Sequence, residues 1–600
     1  MSAEVQQKFS FALLRRVLSY SKPYSGRFAL ASVVSVVFAL VSPLRALLTQ
    51  YTLDNYIHPI GKGLMPDKEM LLYMTLAMVG ILFFEAFLQF LNEYLAGWLG
   101  QTIIRDMRTK LFTHINSLHL QYFDRTPIGA LVTRVISDME AISDIFSEGL
   151  LVILGDFMKL VVIISVMFYT NWKLSLISLS VFPFLLIGAN MFKNGVNKSF
   201  NEVRTQVARL NSFVQEHITG MNIVQIFNRE DEEMKKFQLI NAEHRDANIR
   251  SIWYYSVFFP FIEILSSVSI GLIIWWGGRG VFDPEHSGFS VGQLVAFIMY
   301  INMLFRPIRL IADRFNTLQM GIVASDRVFK VIDTQSGERK KPEQGFKNIN
   351  AKHLSGDIEF KNVWFAYQDE NYVLRNISFE AKKGQTVALV GATGSGKSSI
   401  ASLINRFYEY SKGEIAIDGI NIREYELTSL RKNVGIVLQD VFLYSDTIAN
   451  NISLNNPEIK REQIIAAAKK VGAHDFIMRL PGGYDYNVME RGATLSVGQR
   501  QMISFIRAYL YNPAILILDE ATSSIDTESE ILIQRATETL MINRTCLVIA
   551  HRLATVQKAD KILVVEKGEI IETGTHAELL FNGKNYKKLY ELQFANEAAV

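Results

Sequence analysis

Six long apolar runs crowd the first half of this 600-residue chain. Residues 28–44, FALASVVSVVFALVSPL, carry no charge, and the run resumes past Arg45. Residues 70–92 hold one acid, Glu85, and residues 149–172 hold Asp156 and Lys159. Residues 174–192 and 287–305 are uncharged, and 251–278 are broken only by Glu263. Crossing a bilayer as a helix takes about 20 apolar residues, whereas a soluble core helix needs only about 10–14. The runs therefore predict six transmembrane helices, over about 28–50, 70–92, 149–172, 174–195, 251–278 and 287–312, in a membrane domain spanning 1–330. The first run does not read as a cleaved signal peptide: it is long, starts after 27 residues and ends at SPLRALL without a small-residue cleavage site.

Basic residues set the expected orientation. Five Lys/Arg precede the first run, while the short connectors 54–69, 173 and 279–286 carry two, one and one. The basic side is cytoplasmic, which puts the N-terminus and the long connectors 93–148 and 193–250 inside a cell (plasma or inner) membrane. Those connectors are not disordered. Val203, Val207, Leu210, Phe213, Val214 and Ile218 keep helical spacing between mixed charges. In YFDRTPIGALVTRV, Pro127 and Gly129 break the pattern, leaving a short helical turn at a tip suited to contact a partner domain.

Charges within the runs allow two readings. Glu85, Asp156 and Glu263 could receive a cationic substrate, or they pair internally, Asp156 with Lys159 for example, or face a watery cavity. Arg306 and Arg309, around Pro307, are expected to snorkel to the interface. Across the whole chain 62 basic residues face 59 acidic ones, so the composition gives no case for nucleic acid. The single cysteine, Cys546, cannot form an intrachain disulfide and sits in the apolar run TCLVIA, which reads as a buried strand.

The second half alternates short apolar runs with glycine-bearing turns. After a linker at 331–356, residues 357–600 read as an α/β nucleotide-binding domain. The apolar Thr386–Val390 reads as a buried parallel strand, followed by Gly391-Ala392-Thr393-Gly394-Ser395-Gly396-Lys397-Ser398, then Ser399 and an apolar-periodic helix. This is a P-loop. Its glycines let backbone N–H groups close around phosphate oxygens at a helix N-terminus. Lys397 supplies charge to the β- and γ-phosphates, and the Ser398 hydroxyl can ligate Mg²⁺. A second strand, AILILDEAT, carries Asp519 and Glu520 at its carboxyl end, where ligands bind in open α/β sheets. Asp519 suits the Mg²⁺ shell, and Glu520 suits polarising an attacking water. His551 ends a third strand and can reach the γ-phosphate region, or is an ordinary strand-end residue.

Taken in order, these motifs resemble an ATP-binding cassette exporter half-transporter over essentially the whole chain. GATGSGKS is similar to the family's Walker A motif, and ILILDE to its Walker B with the adjacent catalytic glutamate. The resemblance makes Gln439 in GIVLQDVFLYSDTI the Q-loop glutamine, a Mg²⁺ sensor facing the membrane domain. It makes Tyr367 the aromatic that stacks on adenine, Asp526 the D-loop aspartate and His551 the switch histidine. RGATLSVGQRQ is similar to the signature motif, usually LSGGQ, in which Ser496 and Gly498, with Gln499 behind them, would meet the γ-phosphate of ATP held by a second nucleotide-binding domain. With one such domain per chain, dimerisation is implied, with twelve spans in all, and ATP-driven closure coupled to alternating access through tips near 121–134 and 208–220. The expected function is ATP-driven export of a drug, lipid or peptide; the alternatives are uptake by the same fold and a soluble cassette ATPase. Val497 departs from the signature, where glycine is usual. Because impaired sites of two-chain exporters pair one chain's altered signature with the other's altered Walker B, a heterodimer is favoured over a homodimer.

Overall fold

The computed structural model describes residues 11–57, 68–282, 289–334, 349, 353–519, 527–550 and 553–593. The chain forms two compact units, residues 1–115 with 129–334 and residues 116–128 with 335–600.

The first unit is helical. Lys22–Ile57, Lys68–Ile115, Ile128–Thr170, Trp172–Thr219 and Glu230–Arg279 are each long and apolar enough to cross a membrane, with 36, 48, 43, 48 and 50 residues. At about 1.5 Å per residue, the longest run to roughly 75 Å, more than twice the ~30 Å hydrocarbon layer. The sixth expected run forms a shorter apolar stretch, Val291–Pro307, at the start of one continuous helix, Val291–Asp333. Among the described residues, then, five full-length apolar helices and one short one stand where six were expected.

Local chemistry sets the helix ends. Asn171 caps Trp172–Leu179 by accepting from the backbone N–H groups of Lys173 and Leu174, so one residue turns the chain between two long helices. Ser290 and Gln293 form a capping box at the start of Val291–Asp333. Asp54 reinforces that start, accepting from Ser290 Oγ at 2.7 Å and from the Gly292 N–H at 2.9 Å. Glu230, Asp231, Glu232 and Glu233 fill the first turn of Glu230–Phe282, where the helix dipole favours acids.

Rings seated on glycines hold the helix pairs together. A Cβ at Gly188 would meet the Phe261 ring, and one at Gly195 the Tyr254 ring. These glycines lie seven residues apart on Phe182–Thr219, so both face Glu230–Phe282. Charge pairs tie helices together further along. Arg327 grips the buried Asp138 with two bonds of 2.5 and 3.0 Å. Asp156 pairs with Arg314 rather than with Lys159. The expected Asp156–Lys159 pair is absent because the Lys159 ammonium lies over the Phe38 ring instead, 3.6 Å from its centroid.

The second unit contains two sheets. Strands β1 (Ile358–Ala366), β2 (Tyr372–Ala381), β4 (Lys412–Ile417) and β5 (Ile420–Asn421) form an antiparallel sheet in the order β2-β1-β4-β5. Strands β3 (Thr386–Val390), β6 (Val434–Val437), β7 (Ile515–Asp519), β8 (Thr545–Ile549), β9 (Lys561–Glu566) and β10 (Glu569–Gly574) form the other, in the order β10-β9-β3-β8-β7-β6. All neighbours in the second sheet are parallel except β9 and β10. Every residue of β3 and β8 is buried, as expected of central strands covered on both faces. Cys546 lies in β8 with its thiol pushed up to about 12 by burial, which makes it an inert core residue.

Candidate nucleotide site

Register brings the phosphate chemistry to one sheet edge. Thr386 of β3 pairs with Cys546 of β8, and Asp519 of β7 pairs with Ile549 of β8, so the carboxyl ends of all three strands align. The loop after β3 leads into the helix Lys397–Ile404, and two of its glycines need backbone that other residues avoid. Gly394 has φ +80°, and Gly396 has φ +108° with the Leu374 side chain 2.6 Å from where a Cβ would stand. Sequence and geometry agree that only glycine fits this turn.

Lys397 is buried, and its ammonium donates to the carbonyls of Gly391 at 2.7 Å and Ala392 at 3.0 Å. Burial lowers its pKa, and the nearby Asp519 carboxylate opposes that shift. Ser395 Oγ is buried without a hydrogen-bond partner, as fits a loop whose polar atoms serve a ligand. Ala392, Thr393, Gly394 and Ser398 are exposed, so an anion can approach the loop backbone and the Ser398 hydroxyl. Together a glycine cradle, an ammonium, a hydroxyl and a strand-end carboxylate fit a nucleoside triphosphate with its divalent cation. Gln439, just past β6, is exposed.

Tyr367 follows β1. Its hydroxyl lies 3.0 Å from Ser399 Oγ, and its ring meets Phe365 and Tyr408 edge-on with centroids 4.7 and 5.0 Å away. Its carbonyl accepts from Gln121 at 3.1 Å and Arg125 at 3.0 Å, while Tyr408 OH donates to Asp124 at 2.5 Å. Those partners lie on the short helix Leu120–Arg125, which belongs to this compact unit although its neighbours in sequence are membrane helices. The sequence pointed to a short helical tip here. It did not single out Tyr408, whose only signal is the aromatic pair in RFYEY beside a glycine turn.

The signature stretch forms a well-made helix start. Ser496 caps Val497–Tyr511 by accepting from the Gln499 N–H at 3.2 Å, and Gln499 Oε1 accepts from the Ser496 N–H at 3.0 Å. Gly498 is buried, whereas Val497 is 44% exposed, so its side chain stands off the helix instead of packing into it. Arg500 donates back to the Leu495 carbonyl at 2.8 Å and braces the turn. Glu520, Asp526 and His551 lie outside the described residues.

A unit of long apolar helices followed by a P-loop ATPase unit in one chain defines a class, the membrane transporter powered by ATP. Comparison with known proteins gives the family. The ABC transporter transmembrane region profile matches residues 28–308, and the ABC transporter profile matches residues 374–523. The chain is 38% identical over 587 residues, 97% of its length, to the whole of a Bacillus subtilis (strain 168) protein named Putative multidrug export ATP-binding/permease protein YgaD. It is 36% identical over 585 residues, 98% of its length, to 95% of the ATP-dependent lipid A-core flippase of Syntrophus aciditrophicus (strain SB). The chain belongs to the ABC transporter family. It binds ATP, hydrolyses it and couples that hydrolysis to export, as a half-transporter in a membrane.

Proposed function

We propose that the exported substrate is an amphipathic drug, lipid or peptide, moved by alternating access through a dimer of twelve spans. The names of the relatives, a multidrug exporter and a lipid A-core flippase, support that substrate class. The protein sits in the cell membrane with its N-terminus and nucleotide-binding unit cytoplasmic, as the basic flanks favour. The observation that carries the ATP-driven part of the reading is the buried Lys397 ammonium, donating to the Gly391 and Ala392 carbonyls of the glycine cradle.

In that site the backbone of Gly391–Ser399 holds the phosphates, Lys397 faces the β- and γ-phosphates, and Tyr367 stacks on the base. Ser398, Gln439 and Asp519 would hold Mg²⁺, which supplies charge neutralisation when bound. Glu520 orients the attacking water, His551 contacts the γ-phosphate, and Asp526 links the two halves. Ser496, Gly498 and Gln499 complete the site of the opposite subunit.

Replacing Glu520 by Gln keeps the size and removes the carboxylate. Hydrolysis is expected to fall by roughly 10² or more, the scale of a lost general base, with ATP binding retained. Substantial turnover by the purified Glu520→Gln protein overturns the assignment. Flux into inside-out vesicles, expected to need ATP and to run inward, separates export from uptake.

A further inference from the structure

Tyr367, the ring read as the platform for the base, is gripped on several sides. Its hydroxyl lies 3.0 Å from Ser399 Oγ, in the first turn of the helix Lys397–Ile404. Its ring meets the buried Phe365 with centroids 4.7 Å apart at 75°, and Tyr408 with centroids 5.0 Å apart at 86°. Phe365 is fixed by its strand and Ser399 by its helix. Tyr408 has neither support, because it lies in a bend past the helix end. Its hold on Tyr367 therefore depends on what fixes that bend.

The bend is pinned on both sides of Tyr408. The Arg406 and Phe407 N–H groups donate back to the carbonyls of Leu403 and Ser402, each at 3.0 Å. Glu409 is held by Arg406 at 2.7 Å and by Arg423 at 3.1 Å. Tyr410 is buried, and its hydroxyl donates to Asn421 Oδ1 at 3.1 Å. The Tyr408 side chain is then anchored at its far end, where the hydroxyl donates to Asp124 at 2.5 Å. Burial first, and the Asp124 carboxylate second, raise the Tyr408 pKa above its ordinary 10, so the phenol keeps its proton at neutral pH. A ring held at its backbone and at its hydroxyl has one orientation, and edge-to-face contact passes that orientation on to Tyr367.

We propose that Tyr408 is a positioning residue for ATP: anchored by Asp124, it fixes the plane of the Tyr367 ring before the base arrives. This role rests on the reading of Tyr367 as the base-stacking ring. A ring set in advance loses little freedom on binding, so Tyr408 acts on affinity for the base and leaves the phosphate end alone.

The test measures ATP hydrolysis by the full chain, with its companion chain where one is present. Tripolyphosphate with Mg²⁺ serves as a competitive inhibitor that reports the phosphate end without a base. Tyr367→Ala is expected to raise KM for ATP about tenfold, the scale of one lost base–aromatic stack, with kcat and the tripolyphosphate Ki kept. Tyr408→Ala is expected to raise KM about three- to tenfold, the range of one lost aromatic pair, with the same two values kept. Tyr408→Phe and Asp124→Ala keep the ring and remove only its anchor, and each is expected to raise KM about threefold, the scale of one hydrogen bond. Added to Tyr367→Ala, Tyr408→Ala is expected to change nothing further, because it acts only through that ring. An unchanged KM in Tyr367→Ala sinks the stacking reading and the positioning role with it. Where Tyr367→Ala does raise KM, three results overturn the role of Tyr408 alone: a wild-type KM in Tyr408→Ala, effects that multiply in the double variant, or an equal rise in the tripolyphosphate Ki. If Tyr408→Ala does not fold, a wild-type KM in both Tyr408→Phe and Asp124→Ala overturns it instead.

Discussion

Val497 separates two things that one residue can disturb, a helix and its ligand. The helix is intact: Ser496 and Gln499 exchange both capping bonds, and the valine side chain is half exposed. Its cost is therefore expected to fall on whatever approaches that helix start, where three extra carbons would crowd a phosphate and shield the amides. Val497→Gly in the chain assayed alone is expected to raise ATP hydrolysis several-fold, about 1 kcal/mol of barrier, with unchanged thermal stability. Ser496→Ala removes the cap and is expected to cost about 1 kcal/mol of stability instead, read as a lower unfolding midpoint. The P-loop was legible in the sequence because its glycines are needed by backbone conformation alone. The bond from Tyr408 to Asp124 was not legible. It joins residues 284 positions apart, and no local pattern encodes such a meeting.

At the scale of elements, long helices announce themselves by apolar length, but their partners do not. The six runs were readable from apolar length with few charges. That Gly188 and Gly195 receive aromatic rings was not, since the rings come from another helix. Gly188→Ala is expected to lower the unfolding midpoint in detergent, because the added methyl meets Phe261 and overpacking costs about 1–3 kcal/mol. Gly97→Ala, with nothing within 4 Å, serves as the tolerant control. The tip of the hairpin between Phe182–Thr219 and Glu230–Phe282 carries a pH-sensitive clasp. His217 stacks on Phe213 with centroids 3.8 Å apart, and its ring nitrogens meet the Phe213 carbonyl at 2.8 Å and Glu233 at 2.7 Å. The Glu233 carboxylate and then the Phe213 carbonyl raise the His217 pKa above its ordinary 6.5, with Glu216 adding to the field. Lys236 first, then His217, lowers that of Glu233 below its ordinary 4.5. The His217 contribution is full below 6.5 and is lost as pH rises through the raised value. The Glu233 contribution is full above 4.5 and is lost as pH falls through the lowered value. The clasp is thus tightest between those limits. Amide exchange at residues 217–233 is expected to show protection falling as pH rises through the raised His217 value, after correction for intrinsic rates, and His217→Gln is expected to abolish that dependence.

At the level of the whole molecule, basic flanks set which side each part faces. Cysteines placed at Lys62 and Gly288 are expected to react with an impermeant thiol reagent in intact cells, and one at Lys235 is not; the reverse pattern inverts the orientation. Composition of the dimer turns on an asymmetry within this one chain. Its Walker side keeps every expected residue in the sequence, and the described part of it has a positive-φ glycine cradle and a buried Lys397. Its signature side alone departs from the usual pattern, at Val497. In a homodimer both composite sites would join an intact Walker side to a valine-bearing signature, so both would be slow. In a heterodimer with a chain whose signature is intact and whose catalytic glutamate is replaced, one site joins the two sound halves and works, and the other joins the two altered halves. The second arrangement confines both defects to one site, which is why it is favoured. Native mass measurement of tagged protein from its own host is expected to give one copy of this chain with one companion. The isolated chain is expected to hydrolyse ATP at least about tenfold more slowly than the pair, a loss of about 1.4 kcal/mol in barrier. A dimer of identical chains with full activity overturns the heterodimer, and Val497 then marks a signature that tolerates valine.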